Sequence, residues 1–170
     1  ISVIAAGAYT YMAYRNGDVA TGIMASAVLG AGIGFLFYNF PPASIFMGDA
    51  GSLFLGFAVA VLPLSQAWNG STAPNLPMAI TIALIPILDT VSAIIRRAKN
   101  RVPFYTPDRL HLHHKLLGFG LNGRQILAVI YTMSLALAMA AISVTYLSEG
   151  VAVAVMYASW IVVGLRHRLI

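Results

Sequence analysis

The sequence VATGIMASAVLGAGIGFLFY, residues 19–38, contains no charged side chain. About 20 consecutive apolar residues allow an α-helix to cross the hydrocarbon core of a bilayer. A strand of a membrane β-barrel alternates apolar and polar residues, and this stretch does not. The stretch therefore predicts a transmembrane α-helix.

Similar apolar segments recur along the whole chain. Of its 170 residues, 59% are hydrophobic and 9% are charged, and the mean hydropathy is +0.83. A soluble domain carries about 25% charged residues, so this chain has too few charges to cover the surface of a water-soluble domain. We expect an all-α, polytopic membrane helix bundle, with residues 1–170 forming a single transmembrane domain. Six transmembrane helices are predicted: Ile1–Tyr14, Val19–Tyr38, Gly51–Trp68, Pro77–Ile95, Gln125–Leu147 and Gly150–Leu165.

The basic residues are concentrated between the fourth and fifth predicted spans. Cytoplasmic loops carry an excess of lysine and arginine, so loop 96–124 is predicted to be cytoplasmic. Alternating spans then place loop 39–50 and both chain termini on the same side, while Arg15 alone lies on the opposite side. Seven of the ten lysines and arginines lie in the basic loop: Arg96, Arg97, Lys99, Arg101, Arg109, Lys115 and Arg124.

Two aspartates lie near the cytoplasmic ends of predicted spans. Asp49, in FMGDAGS (residues 46–52), is either a helix N-cap or a ligand of a Mg²⁺ ion that bridges to a diphosphate, with the flanking glycines admitting a ligand to the backbone. Asp89 lies within the fourth span, roughly 9 Å from its cytoplasmic boundary. Ionisable groups at such depth usually face a bundle interior or a wet cavity, so Asp89 is interpreted as functional, with a loop arginine as the structural alternative. Pro86, one turn earlier, predicts a kink.

Three of the four histidines lie in TPDRLHLHHKLLGFG, residues 106–120. Thr106 and Gly118 are predicted to begin and end a short helix, on which His111, His114 and Lys115 share one face. Three imidazoles are able to bind a transition metal, but Mg²⁺ prefers oxygen ligands. Beside Arg109 and Lys115, the histidines are typical of donors to phosphate oxygens or of a proton relay. A solvated polar loop is the alternative.

Three motifs together resemble one enzyme family. NFPPASIFMGDAGSLFLGF (39–57), PILDTVSAIIRR (86–97) and PDRLHLHHKLLGFG (107–120) are similar to the polyprenyl-phosphate N-acetylhexosamine-1-phosphate transferases, or glycosyltransferase family 4. The His-x-His-His form resembles the branch that uses GlcNAc-1-phosphate more than the related phospho-MurNAc-pentapeptide translocase. This resemblance implies transfer of a HexNAc-1-phosphate group from a UDP-sugar to undecaprenyl phosphate, with release of UMP, at the start of cell-envelope polysaccharide synthesis.

The resemblance also implies a cofactor, a location and a site. The cofactor is Mg²⁺, or Mn²⁺ in its place, and the enzyme lies in the bacterial cytoplasmic membrane with its active face toward the cytoplasm. Its partners are the UDP-sugar, the lipid phosphate and a second copy in a homodimer, and not nucleic acid. The implied residues are Asp49 as metal ligand, Asp49, His111, His113, His114 and Asp89 as catalytic residues, and Asn39 and Phe46 in the uridine pocket.

The chain also departs from the family pattern. It contains no adjacent Asp-Asp pair and no Asn-rich NxxNxxDG motif, and its six predicted spans compare with the ten or eleven that are typical of the family. It begins at Ile1 and contains no cysteine, which excludes a disulfide framework. We therefore expect the C-terminal part of a larger transferase, inactive by itself. The alternatives are a transporter or metal-handling membrane protein and a noncatalytic membrane partner.

Overall fold

The chain forms a helical structure. The computed structural model describes residues 1–68, 75–103, 111–143, 146–147, 151, 154–155 and 158–161, with the backbone alone for 65–68 and 75–76, and no strand occurs in these ranges. Seven helices are defined within these ranges: α1 (Ser2–Arg15), α2 (Val19–Asn39), α3 (Gly48–Trp68), α4 (Asn75–Ile82), α5 (Leu84–Lys99), α6 (Leu112–Gly118) and α7 (Gly123–Ser143).

Two of the described helices are long and apolar enough to cross a membrane. They are α2 and α7, of 21 residues each, and such a helix is about 31 Å long, close to the thickness of the hydrocarbon core. The apolar part of α3, Gly48–Leu64, is shorter. The helical class of the chain is thereby confirmed, whereas six spans and two cytoplasmic termini stay predictions. Most of the predicted sixth span lies outside the described residues.

Small and apolar side chains join the helices in two cores. The first contains Ala5, Ala8 and Tyr9 of α1 against Ala25 of α2, all less than 5% exposed. Small residues allow membrane helices to approach each other closely. The second core joins α5, α6 and α7 through a set of buried leucines and isoleucines: Leu84, Ile85, Leu112, Leu116, Ile126 and Leu137.

The predicted fourth span, Pro77–Ile95, for which Pro86 predicted a kink, is divided between two helices, α4 and α5. The division lies at Ala83, whose N–H bonds to the carbonyl of Ala79 and whose carbonyl accepts from Ile87. Pro86 has no N–H to offer the carbonyl of Ile82, four residues earlier, and is tolerated within the first turn of a new helix. The helix therefore divides before the proline, which lies between the division and Asp89.

Large apolar side chains cover much of the outer surface. The described surface exposes Phe37 on α2, Leu53 and Phe57 on α3, and Leu135 and Met139 on α7, each by more than half. Large exposed apolar surface marks contact with a membrane or with another protein. This surface therefore suits contact with lipid or with further helices.

The end of α1 contacts Tyr146, three residues beyond the last residue of α7. The guanidinium carbon of Arg15 lies 3.8 Å from the centre of the Tyr146 ring, and the hydroxyls of Tyr11 and Tyr146 form a hydrogen bond. A guanidinium over an aromatic face is attracted by the ring quadrupole. This contact gives Arg15, the one basic residue predicted on the outer side, an aromatic partner.

Candidate active site

The loop between α2 and α3 is fastened to the last turn of α2. The carbonyl of Tyr38 accepts from the backbone N–H of Ser44 at 2.8 Å and from that of Ile45 at 3.2 Å. The Nδ2 of Asn39 donates to the carbonyl of Ile45 at 3.0 Å. Asn39, predicted to line a uridine pocket, therefore fixes the path of the loop. Phe46, which follows Ile45, is 80% exposed, so its ring is open to a planar ligand.

Asp49 lies in the first turn of α3, which begins at Gly48. Gly48 has φ of +65°, a left-handed conformation that L side chains avoid. A Cβ on Gly51 would lie 2.5 Å from the Cγ of Met47. The glycines of the GDAG motif thus shape the turn and leave Asp49 exposed to solvent, where the positive end of the helix dipole favours its negative charge.

Asp89 contacts the beginning of α6. Its Oδ2 lies 3.0 Å from Nδ1 of His111, and its Oδ1 accepts from the backbone N–H of Leu112 at 2.9 Å. The Asp89 and His111 side chains are 23% and 31% exposed, so both are partly shielded from water. The structure thus joins the aspartate of α5 to the histidine motif.

The helix of the histidine motif begins later than predicted. His111 has an extended backbone (φ −63°, ψ 155°) and is the N-cap of α6, so the prediction of a helix continuing through His111 from Thr106 is wrong. The carboxylate of Asp89 accepts from the first N–H of α6, and so takes the capping role that was predicted for Thr106. The end at Gly118 is confirmed. Thr106 and Arg109 lie outside the described residues.

The three imidazoles of the motif form one cluster. The His113 ring lies 6.2 Å from that of His111, nearly parallel to it, and 4.0 Å from that of His114. The predicted helix placed His113 off the face shared by His111 and His114, nearer Arg109 and Leu117, whereas its ring lies between the other two. Burial lowers the pKa of His113, and positive charge on His114 and His111 lowers it further.

Buried leucines hold this cluster in place. Leu112 and Leu116 are 6% and 4% exposed and pack with Leu84 of α5 and Ile126 of α7. Lys115 lies on α6 between them and is half-buried. The histidines are therefore carried by a short helix that two longer helices support.

A cavity of about 710 Å³ lies between α1, α3, α4 and α5. Most of its lining is apolar, and Tyr9, Ser52 and Thr90 contribute hydroxyl-bearing side chains. Ser52 lies one turn beyond Asp49, and its Oγ donates to the Asp49 carbonyl at 2.9 Å, while Thr90 follows Asp89 directly. Neither Ser52 nor Thr90 was predicted from the sequence. The two aspartate motifs therefore border the same cavity.

The predicted site residues are brought together in part. Asp89 meets His111 and the imidazoles meet each other, but no contact joins Asp49 to these groups within the described residues. No group of three or more histidine, aspartate or glutamate side chains in the described residues is arranged to hold a metal ion.

Comparisons with known proteins relate the chain to one family of transferases. Residues 1–67 match the model of a family described as glycosyl transferase family 4. The chain is 42% identical over 142 residues to the probable undecaprenyl-phosphate N-acetylglucosaminyl 1-phosphate transferase of Bacillus subtilis (strain 168), with 84% of this chain and 40% of that protein covered. It is 32% identical over 154 residues to the decaprenyl-phosphate N-acetylglucosaminephosphotransferase of Mycobacterium tuberculosis (strain CDC 1551 / Oshkosh), with 84% and 38% covered. No solved structure matches the chain significantly.

The similarity extends to a relative from another bacterium. The chain is 28% identical over 172 residues to the undecaprenyl-phosphate alpha-N-acetylglucosaminyl 1-phosphate transferase of Yersinia pestis, with 96% of this chain and 47% of that protein covered. The chain thus spans less than half the length of these curated relatives. The aligned region covers 84% of this chain, so it must include residues 39–57, which carry Asp49, and the segment from α5 to α6, which carries Asp89 and the histidines.

Proposed function

We propose, from the confirmed resemblance of this chain to glycosyl transferase family 4, that it forms part of a phosphosugar transferase. The reaction moves N-acetylglucosamine 1-phosphate from UDP-N-acetylglucosamine to a polyprenyl phosphate and releases UMP. It begins the synthesis of a cell-envelope polysaccharide at the bacterial cytoplasmic membrane. The observation that carries this proposal is the 42% identity to a probable transferase of that kind across both aspartate motifs.

The charges of the substrates explain the residues of the site. Both the nucleotide diphosphate and the lipid phosphate are anionic, so their approach needs nearby positive charge and hydrogen-bond donors. The three imidazoles and Lys115 supply such groups on one short helix, and we assign Arg109 to the same role. Phe46, exposed beside α3, is assigned to the face of the uracil ring.

Asp49 fits one position in a magnesium site. Mg²⁺ takes one or two protein carboxylates and fills its remaining positions with water and phosphate oxygens, so an exposed carboxylate at the start of α3 suffices as this chain's ligand. The ion would offset the negative charge of the two phosphates as they approach.

The cavity suits an amphiphilic acceptor. Its wall is apolar along α3 and α5, and Ser52 and Thr90 lie beside the two aspartates. A lipid phosphate has the same distribution, with an apolar chain and an anionic headgroup. This match supports a polyprenyl phosphate as the acceptor, with its headgroup at the hydroxyls of Ser52 and Thr90, where Mg²⁺ on Asp49 would offset its charge.

For the membrane we propose six spans with both ends and both motif loops on the cytoplasmic side. Two contacts support this arrangement: Arg15 meets Tyr146 at the predicted outer ends, and Asp89 meets His111 at the predicted inner ends. The chain contains no cysteine, so single cysteines introduced at Asn16 and Phe119 report their side directly. In intact cells an impermeant maleimide should label Asn16→Cys and not Phe119→Cys, and the reverse pattern would refute the orientation.

The function is tested by UMP release from a complete transferase that carries this sequence. We expect release from UDP-N-acetylglucosamine to require both undecaprenyl phosphate and Mg²⁺, with omission of either reducing it to background. Transport was the alternative interpretation, and the comparisons give it no support. Uptake of UDP-sugar into proteoliposomes without UMP release would overturn the proposal.

A further inference from the structure

Asp89 directs both of its carboxylate oxygens at the first residues of α6. One oxygen lies 3.0 Å from Nδ1 of His111 and the other accepts from the N–H of Leu112 at 2.9 Å. The two side chains lie on different elements, since α5 carries Asp89 and the start of α6 carries His111. One carboxylate thus contacts both the helix backbone and the imidazole.

The contact with a carboxylate determines which ring nitrogen carries hydrogen. An ionised carboxylate only accepts hydrogen bonds, so Nδ1 of His111 must donate. Nε2 lies on the far edge of the ring, away from Asp89, and the side chain is 31% exposed. In the protonated ring both nitrogens donate, Nδ1 to Asp89 and Nε2 to an anion.

We propose that Asp89 is a positioning residue that fixes the His111 ring so that its Nε2 meets the phosphate oxygens of the sugar nucleotide. The inference rests on the proposed function, and it gives Asp89 a positioning role in place of the catalytic role that the resemblance implied. It requires Asp89 to touch no substrate. His111 makes the contact, and Asp89 acts through it.

A purely structural role predicts a different result. The side-chain oxygen of Asn accepts a hydrogen bond from a backbone N–H as a carboxylate oxygen does, so Asp89→Asn keeps the bond to Leu112 if its oxygen stays on that N–H. The amide nitrogen then faces Nδ1 of His111, which must become an acceptor, and the hydrogen of the neutral ring moves to Nε2. The variant keeps the hydrogen bond to Leu112, but its neutral amide cannot offset the positive charge of a protonated His111 ring.

The test compares Asp89→Asn, His111→Gln and the double variant in a complete transferase that carries this sequence. A charge-assisted hydrogen bond is roughly twice as strong as a neutral one, so we expect Asp89→Asn to lower kcat/KM for UDP-N-acetylglucosamine about tenfold or more. Because Asp89 acts through His111, the double variant should be no worse than His111→Gln alone. Hydrogen exchange of the α6 amides should be the same in Asp89→Asn and the unchanged protein.

Nitrogen-15 spectra of the histidines provide a readout that is independent of turnover. At a pH where the ring is neutral, His111 should carry its hydrogen on Nδ1, and in Asp89→Asn on Nε2. Wild-type activity in Asp89→Asn, multiplicative losses in the double variant, or a neutral His111 ring protonated on Nε2 in the unchanged protein would each overturn the positioning role. Absence of UMP release by the unchanged transferase would instead count against the proposed function, and the spectra would still decide the role of Asp89.

Discussion

Replacing Phe46 by alanine tests the uridine pocket with little effect on the fold. The ring is 80% exposed, and full burial of a phenylalanine contributes about 1.5–3 kcal/mol, so the loss of stability should stay near one-fifth of that, about 0.3–0.6 kcal/mol. Stacking of a base on an aromatic ring contributes about 1–3 kcal/mol. Without it, the KM for UDP-N-acetylglucosamine should rise about 5- to 150-fold, as measured by UMP release at varied substrate.

Phe37 provides a matched control for this change. Its side chain is 82% exposed, on α2, so Phe37→Ala removes the same ring from the surface without touching the proposed pocket. We expect Phe37→Ala to leave the KM unchanged and Phe46→Trp to retain a KM near that of the unchanged protein. If the KM of Phe46→Ala stays within about twofold of the unchanged value, where stacking predicts about fivefold or more, then Phe46 does not contact the base.

Three further predictions concern the carboxylate, the imidazoles and the turn before α3. Asp49→Asn should reduce UMP release about 100-fold or more at unchanged protein levels in the membrane. Asp18→Asn is the control and should remain active, because Asn caps α2 as well as Asp18 does. Activity in Asp49→Asn would refute the metal assignment. His113 should titrate below its ordinary pKa of 6.5, and His114→Gln should raise that pKa, as followed by NMR. Because its folded pKa is lowered, the free energy of unfolding should decrease as pH falls through about 6.5, and a higher pKa in the folded protein would contradict the reasoning. Gly48→Ala, at φ +65°, should cost about 1–2 kcal/mol in thermal unfolding, and an unchanged midpoint would exclude backbone strain there.

Much of the helical architecture could be predicted from apolar length alone. The segment Val19–Tyr38 was expected as a helix, and α2 covers Val19–Asn39, because an uncharged run of this length satisfies its backbone only as a helix in lipid. The division at Ala83 could not be located from composition, since the apolar run continues through it. Pro86 indicated an irregularity, but the position of the break depends on which carbonyl loses its partner.

The site was predictable in its residue types and less so in its contacts. An aspartate predicted to lie within a span, as Asp89 was, is costly to bury alone and therefore indicates a partner. Its pairing with His111, however, depends on the path of the chain from α5 to α6. The histidine cluster was expected, but the place of His113 within it was not, because an N-cap with an extended backbone moves His111 off the helical face. The cavity beside Ser52 arises from helices distant in sequence, so no local pattern predicts it.

Phosphosugar transfer is tested most directly by the mass of the lipid product formed by a complete transferase that carries this sequence. With UDP-N-acetylglucosamine, undecaprenyl phosphate and Mg²⁺, we expect a lipid that carries the sugar through a diphosphate, together with an equal amount of UMP. A lipid that carries the sugar through a single phosphate, together with UDP, would contradict phosphosugar transfer. The absence of any glycosylated lipid would contradict the transferase assignment itself.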